Sequence, residues 1–189
     1  MDEIAIRAAR LDDAGPIAQV DVETWQASYA GILTTPYLAG LTSARRETGW
    51  TNLIRKEPRD VQVAAASDGA VIGFGSCGNS RGEPDFTSEV FTLYVAPDWQ
   101  NRGVGRRLLW AMFERLAAQD HGSVVIWVLR ENPARFFYQR LGGKEVRRKL
   151  LPFNGTQVAA SGYGWRDLPG YLATIAKAGR KTADREPEA

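Results

Sequence analysis

The spacing of apolar and polar residues predicts seven strands interleaved with helices. Runs with the length and composition of strands are residues 4–7, 61–66, 70–77, 88–95, 124–129, 144–151 and 157–166. Stretches with helical spacing are the one that begins at Asp12-Asp13, residues 103–119 and residues 132–142, with a second short helix within residues 25–41. The predicted order is strand, helices, three strands, helix, strand, helix and two strands.

This pattern predicts one domain followed by a tail. Residues 124–129 are almost continuously apolar, as expected for a central strand, and the sequence shows no repeat and no second core. Residues after about 174 carry many charges and almost no large apolar side chain, so burial cannot offset their ordering entropy. We therefore expect a domain over residues 1–170 and a mobile tail over residues 171–189.

Composition narrows the class of protein. The chain has 189 residues, of which 44% are hydrophobic and 24% charged, so it can form one globular core. Its formal net charge of +2 is too small to suggest nucleic acid as the main partner. Neither a membrane-spanning apolar run nor a basic, apolar leader is found. We expect a cytoplasmic protein that binds neither nucleic acid nor membrane.

The single cysteine and the single histidine give little support for metal or nucleophilic chemistry. Cys77 lies in a glycine-rich strand and is predicted to be a small core residue. His121 lies in a polar loop and is predicted to be solvated. One histidine and one cysteine are a poor basis for a zinc site or a catalytic triad, so we expect no metal.

The most informative stretch joins the strand at residues 88–95 to the helix that begins near Gly103. A helix N-terminus after a glycine-bearing loop presents free backbone N–H groups, which suit an anion. Arg102, Arg106 and Arg107 add positive charge at the same place. A phosphate-bearing ligand is therefore predicted here.

Two common phosphate-binding motifs do not fit this loop. The Gly-Lys-Ser/Thr of a Walker loop does not occur in the chain, and a dinucleotide fingerprint requires glycine where Leu108 stands. The pattern that fits is Gln/Arg-x-x-Gly-x-Gly/Ala, filled by Gln100, Arg102, Gly103 and Gly105. It resembles the pyrophosphate loop of the GNAT superfamily, the acyl-CoA-dependent N-acyltransferases.

A second motif strengthens the resemblance, which covers residues 4–168. Asn132, Phe137-Tyr138 and Leu141-Gly142 are similar to the asparagine, Phe-Tyr and Leu-Gly motif of that family. The resemblance implies an α/β (α+β) fold with a central mixed, mostly antiparallel sheet of six to seven strands and about four flanking helices. The sheet is expected to splay at the strand that carries Leu93–Val95. Gly143 stands where many members have phenylalanine, so we expect looser packing there.

The resemblance also implies the cosubstrate, acetyl-CoA, and the residues that contact it. Backbone amides of the loop would hold the diphosphate, and pantetheine would add to the open strand edge like a short extra strand. The implied contacts are Leu93, Tyr94, Val95, Gln100, Asn101, Arg102, Gly103, Val104, Gly105, Arg106 and Asn132. Asn132 has a second interpretation as a helix cap.

Two side chains are candidates for proton transfer. The resemblance makes Tyr138 the acid that protonates the departing thiolate, and the alternative is a packed core tyrosine. We expect Phe137 and Leu141 to face the core while the Tyr138 phenol faces a cleft, because Tyr138 lies about 100° further around the helix.

Glu89 opens the strand at residues 88–95 and is the candidate base, because many family members use a carboxylate there. Whether it acts directly, through water or not at all is left open, and the alternative is a solvated strand-end charge. Strict alternation puts Glu89 on one face with Phe91, Leu93 and Val95, unless a bulge intervenes.

Three aromatic residues, Trp25, Tyr29 and Tyr37, lie where the family builds its acceptor pocket, although such spacing is also common in cores. The resemblance thus predicts N-acetyl transfer from acetyl-CoA to a primary amine of a small molecule or protein, by direct attack in a ternary complex. It also implies that the chain can form a homodimer, since many relatives pair through edge strands. A non-catalytic acyl-CoA-binding or sensing domain remains the alternative.

Overall fold

The computed structural model describes residues 3–153 and 155–183. Its strands are β1 (Ala5–Ala8), β2 (Val61–Ala65), β3 (Val71–Asn79), β4 (Ser88–Val95), β5 (Val124–Leu129), β6 (Lys144–Phe153) and β7 (Thr156–Trp165). Its helices are α1 (Ala14–Ser28), α2 (Thr35–Ala39), α3 (Ser43–Lys56), α4 (Val104–Ala117), α5 (Ala134–Arg140) and α6 (Leu168–Ala183). None of these helices, in the described part of the chain, is long and apolar enough to cross a membrane.

The strands form one seven-stranded sheet in the order β1-β2-β3-β4-β5-β7-β6. Every neighbouring pair is antiparallel except β4 and β5, which are parallel. The chain crosses from β4 to β5 through α4, as a parallel pair requires. The predicted mixed, mostly antiparallel sheet is confirmed.

Helices cover both faces of this sheet. On β2 and β3, Val63 and Phe74 pack with α1 and α3, whereas Ala64 packs with α4. Alternate residues of a strand point to opposite faces, so α1 and α3 lie on one side and α4 lies on the other. Strand β4 lies at the middle of the sheet, with α1 on one face and α4 on the other.

Strand β4 contains one extra residue, Phe91, relative to β3. Val90 pairs with Cys77 and Thr92 pairs with Ser76, which leaves Phe91 without a partner on β3. Such a bulge bends the strand and shifts its side-chain alternation by one.

The bulge decides which side chains of β4 share a face. Val90, Leu93 and Val95 all pack towards α4, while Tyr94 packs towards α1. Glu89 precedes Val90 and therefore points to the face of Tyr94. The expectation from strict alternation, that Glu89 shares a face with Leu93 and Val95, is wrong because of the bulge.

Beyond the bulge, β4 and β5 diverge. The two strands pair only at Ser88–Val124, Glu89–Val125 and Val90–Ile126. Residues 88–90 are buried, whereas residues 91–95 are partly exposed. The predicted splay at the strand that carries Leu93–Val95 is confirmed.

Helix α3 was not predicted from the sequence. Its buried residues are Trp50 and Ile54, and most of its other residues are polar. Two buried side chains on a polar helix give a weak periodic signal, and Gly49 beside them weakens it further.

Helix α6 extends into the region predicted to be a tail. Leu168 is buried, and Tyr171 and Leu172 pack against the core next to α4. The tail predicted from residue 171 therefore begins inside helix α6, and the first apolar residues of that helix attach the helix to the core. Residues 184–189 lie outside the described residues, and the domain boundary stays a prediction.

Gly143 is tightly packed. A Cβ atom there would lie 2.7 Å from Cη2 of Trp165 and 3.0 Å from the Tyr138 carbonyl oxygen. The indole of Trp165 fills this space, and its Nε1 donates a hydrogen bond to the Leu141 carbonyl at 3.0 Å. The expectation of looser packing at Gly143 is wrong, because a different aromatic residue supplies the volume.

Candidate active site

The loop between β4 and α4 has the backbone geometry of an anion-binding cup. Asn101 and Gly103 have positive φ angles of 61° and 79°, and Gly103 is the residue that caps α4. The first N–H groups of a helix have no acceptor within the helix, and left-handed residues turn neighbouring N–H groups to the same side. Asparagine and glycine are the residues that adopt this conformation most readily. The loop therefore has the geometry to present several N–H donors to one anion.

The three arginines of the predicted basic cluster have different surroundings. Arg106 folds back over the loop, with Nη2 3.7 Å from the position that a Cβ atom on Gly103 would take. The guanidinium of Arg102 lies 5.1 Å from the centre of the Trp99 ring. Arg107 instead donates to the Ile4 carbonyl at 2.6 Å and so attaches the start of β1 to α4. Arg102 and Arg106 thus remain available at the loop.

Three other residues predicted to contact the ligand help to shape this loop. Nε2 of Gln100 donates to the Val95 carbonyl at 3.0 Å, so this side chain holds the end of β4. Val104 is buried. At Gly105 a Cβ atom would lie 3.6 Å from the Phe137 ring, which brings α5 beside the start of α4.

The open edge of β4 carries Leu93, Tyr94 and Val95. These residues pair with β3 on one side and have no partner on β5. An unpaired edge offers main-chain hydrogen bonds to an extended ligand. An open strand edge therefore lies next to the loop that contains the left-handed residues Asn101 and Gly103.

Asn132 lies two residues before α5 and near Tyr29, at the end of α1. Its Oδ1 accepts a hydrogen bond from the Ala134 N–H at 2.8 Å. Burial raises the pKa of the Tyr29 hydroxyl, and the nearby Asn132 side chain lowers it in part. The Oδ1 bond to the first N–H of α5 agrees with its interpretation as a helix cap, and its contact with the coenzyme stays a prediction.

Tyr138 is the buried aromatic residue of α5. It packs against the stacked ring of Tyr163, whose centroid lies 6.3 Å away, whereas Phe137 and Leu141 are only partly buried. Phe137 and Leu141 pack against the core, as expected, but Tyr138 is the most deeply buried of the three, and its role as an acid stays a prediction. Burial raises the pKa of Tyr138 above the ordinary value of a phenol. The hydroxyl consequently keeps its proton at neutral pH.

Two further tyrosine hydroxyls lie near the splay. The hydroxyls of Tyr29 on α1 and Tyr94 on β4 are 3.4 Å apart. Burial raises the pKa of Tyr29, although hydrogen bonds to Tyr94 and Asn132 lower it in part. Burial also raises the pKa of Tyr94. These groups therefore serve as neutral donors and acceptors.

The three aromatic residues predicted for the acceptor pocket form one cluster. Trp25 lies at its centre, with Tyr29 at 4.8 Å and Tyr37 at 6.3 Å between ring centroids. Phe153, near the end of β6, lies 6.1 Å from Trp25. A cavity of about 40 Å³, lined by Tyr37 and Phe153 among others, lies between the α1–α2 segment and the β6–β7 hairpin.

Glu89 is buried and ion-paired. Its Oε1 accepts a hydrogen bond from Nη2 of Arg81 at 2.6 Å, and its Oε2 accepts one from the Arg81 backbone N–H at 3.1 Å. The alternative of a solvated strand-end charge is wrong, because the β3–β4 loop covers the carboxylate. Its role as a base stays a prediction.

Several residues of this region were not predicted from the sequence. Arg81 and Phe153 lie in or near turns, and their contacts depend on the tertiary fold. Asp21 on α1 is 1% exposed, accepts a hydrogen bond from Trp50 Nε1 at 3.0 Å and pairs with Arg46 at 3.7 Å. Burial raises the pKa of Asp21. The available sequence signal for this buried charge was an aspartate four residues before Trp25 on the same predicted helix.

Cys77 and His121 lie apart from this arrangement. Cys77 is buried, as predicted, and burial raises the pKa of its thiol to about 12. His121 lies in the turn between α4 and β5 and donates its backbone N–H to the Leu116 carbonyl. Within residues 3–153 and 155–183, no three His, Cys, Asp or Glu side chains form a group that could hold a metal.

Comparison with known proteins identifies similar chains. Residues 24–143 match the family model described as "Acetyltransferase (GNAT) family". An uncharacterized N-acetyltransferase, YuaI of Bacillus subtilis, is 31% identical over 166 residues, which are 87% of this chain and 94% of that protein.

Solved structures show the same fold. PaiA N-acetyltransferase from Thermoplasma acidophilum, solved with coenzyme A, has a TM-score of 0.64 and 20% identity and aligns with 84% of this chain and 98% of its own. YncA of Salmonella typhimurium, described as a putative acetyltransferase and solved with acetyl-CoA, has a TM-score of 0.65 and 20% identity, with coverage of 87% and 94%.

Proposed function

The chain belongs to the GNAT acetyltransferase family, and on this premise we propose that it transfers an acetyl group from acetyl-CoA directly to a primary amine. The observation that carries the proposal is the adjacency of two features of β4. Its edge is open beyond Val90, and the strand runs directly into the loop with left-handed Asn101 and Gly103. An extended chain that ends in a diphosphate suits this pair of features.

The proposed donor site uses mostly backbone groups. The N–H groups around Gly103 and Gly105 hold the diphosphate, Arg102 and Arg106 add charge, and the edge at Leu93–Val95 takes the pantetheine arm. Two relatives of the same fold have been solved with coenzyme A or acetyl-CoA, which supports the choice of donor.

In the proposed reaction the nitrogen of a neutral amine attacks the thioester carbonyl. The carbon–nitrogen bond forms, the carbon–sulfur bond breaks, and the nitrogen loses one proton. Tyr138 is the proposed donor of a proton to the departing thiolate. The phenol is protonated at neutral pH, as a proton donor must be, and this protonation state supports the role, although burial makes the phenol a weaker acid. Glu89 is the proposed acceptor of the proton from nitrogen, directly or through water.

The acceptor is a small-molecule amine or a protein amino group, and Trp25, Tyr29 and Tyr37 are its proposed contacts. Cytoplasmic location and a homodimer stay predictions from the sequence. A non-catalytic acyl-CoA sensor is the second candidate, and one observation favours it: each carboxylate oxygen of Glu89 already accepts a hydrogen bond.

A panel of amines with acetyl-CoA tests the proposal through release of free thiol. We expect turnover on at least one amine, and Tyr138→Phe should lower kcat about tenfold or more with little change in acetyl-CoA affinity. Tyr163→Phe is the matched control, since it removes a hydroxyl from the neighbouring buried ring. Binding of coenzyme A without turnover on any amine would support the sensor. Equal kcat for Tyr138→Phe and the wild type would remove the acid assignment.

A further inference from the structure

The buried carboxylate of Glu89 is covered by an exposed cation. The side chain of Glu89 is 6% exposed, whereas that of Arg81 is 62% exposed. The guanidinium of Arg81 also lies 4.0 Å from the centre of the Phe91 ring, the bulge residue of β4. One oxygen of the buried Glu89 carboxylate is thus paired with a side chain that is itself largely exposed.

The backbone of this loop is fixed even though the Arg81 side chain is exposed. The Ser80 N–H donates to the Thr87 carbonyl at 3.2 Å, and the Thr87 N–H donates to Ser123 Oγ at 3.0 Å. The Phe86 ring is buried directly against Gly164, where it leaves no room for a Cβ atom. The loop is therefore anchored at its end and does not need to move when the Arg81 side chain does.

The two contacts between Arg81 and Glu89 are separable. The contact to Oε1 comes from the exposed guanidinium, and the contact to Oε2 comes from the anchored backbone N–H. If the guanidinium rotates into solvent, Oε1 becomes free while Oε2 remains held. The carboxylate then keeps its orientation and presents one oxygen to another cationic N–H donor.

We propose that Arg81 is a positioning residue whose guanidinium occupies, on Glu89 Oε1, the place of the acceptor's protonated amine. The acceptor displaces the guanidinium on binding, while the Arg81 backbone N–H continues to orient Glu89. This inference rests on the proposed function, since it concerns the acceptor of that reaction. It assigns the acceptor to the class of amines that bind as ammonium ions. Such an amine first gives one proton to Glu89, which releases it to solvent, and the neutral amine then attacks and loses its second proton as in the proposed reaction.

Steady-state kinetics of Arg81 variants with saturating acetyl-CoA test this competition. Arg81→Met keeps an apolar stem over Phe91 but removes the charge, and we expect it to lower the KM of the amine about fivefold, the scale of one exposed ion pair. The KM of acetyl-CoA should change less than about twofold. Arg81→Lys, which keeps the charge, should remain close to the wild type.

A second variant and two further measurements make the result decisive. Arg81→Gln is a second neutral variant in case Arg81→Met unfolds, and thermal unfolding of each variant reports on stability. Butylguanidinium should inhibit Arg81→Met competitively against the amine and more strongly than it inhibits the wild type. An unchanged or raised amine KM in both neutral variants would overturn the inference and leave the proposed function intact. A wild type that acetylates no amine would overturn the proposed function, and the inference with it.

Discussion

A substitution at Gly105 can test ligand binding without disturbing the fold, which makes Gly105→Asp the most informative change in the loop. A Cβ atom at this position would lie 3.6 Å from the Phe137 ring and 3.7 Å from Val95 Cγ2, which are ordinary contacts. Residue 105 is the second residue of α4, where an acidic side chain favours the helix dipole. The variant should therefore be at least as stable as the wild type.

The same substitution should weaken coenzyme A binding strongly. At about 6 Å and an effective dielectric constant of about 40, two unit charges repel by about 1.4 kcal/mol, which is about tenfold in Kd. A diphosphate carries about two charges, so we expect Kd to rise between about tenfold and about a hundredfold at low salt. Because salt screens exposed charges, the effect should shrink as ionic strength rises.

Calorimetric titration with coenzyme A, together with thermal unfolding, checks both expectations. Gly105→Ala should bind within about twofold of the wild type, because its Cβ atom fits and adds no charge. Gly49→Asp adds the same charge to helix α3 at an open position and should leave Kd unchanged. If Gly105→Asp binds coenzyme A as tightly as the wild type, the loop does not hold the diphosphate and the assignment of the donor site fails.

Two other expectations concern the core around this site. Gly143→Ala should lower the free energy of unfolding by about 1–3 kcal/mol, because its Cβ atom would meet Trp165 and a backbone carbonyl. Denaturant unfolding measures this loss. An equal loss in Gly122→Ala, whose Cβ atom would enter open space, would contradict the packing argument. Cys77 should react with a thiol reagent only after unfolding, because it is buried and its pKa is raised to about 12. Rapid labelling of the native protein at neutral pH would contradict its placement in the core.

Local chemistry explains why the loop was predictable and its surroundings were not. The Gln100–Gly105 pattern encodes left-handed residues and a helix start, so a short segment carries its own structure. Asn132 is similar, since its cap bond spans two residues. These features depend on neighbours in sequence, and the sequence pattern identified them.

Features that depend on distant pairing could not be predicted in the same way. The bulge at Phe91 exists only relative to the partners of β4 on β3, and nothing in the run 88–95 marks an extra residue. The pairing of Arg81 with Glu89 depends on how the β3–β4 loop is anchored at Ser123. The deep burial of Tyr138 could not be predicted either, because Tyr163 and Trp165, which lie in the same core cluster, come from β7.

The extra residue in β4 also makes the site sensitive to changes of chain length. Phe91 sets which later side chains of the strand point towards α4 and which point towards α1. Removing it would keep the composition of the strand almost intact but exchange the two sets, turning Leu93 towards Trp25 and Tyr94 towards Leu108. Strand β4 should thus accept many substitutions but no insertion or deletion. The insertion or deletion of a single residue in this strand would damage activity more than most replacements of its side chains.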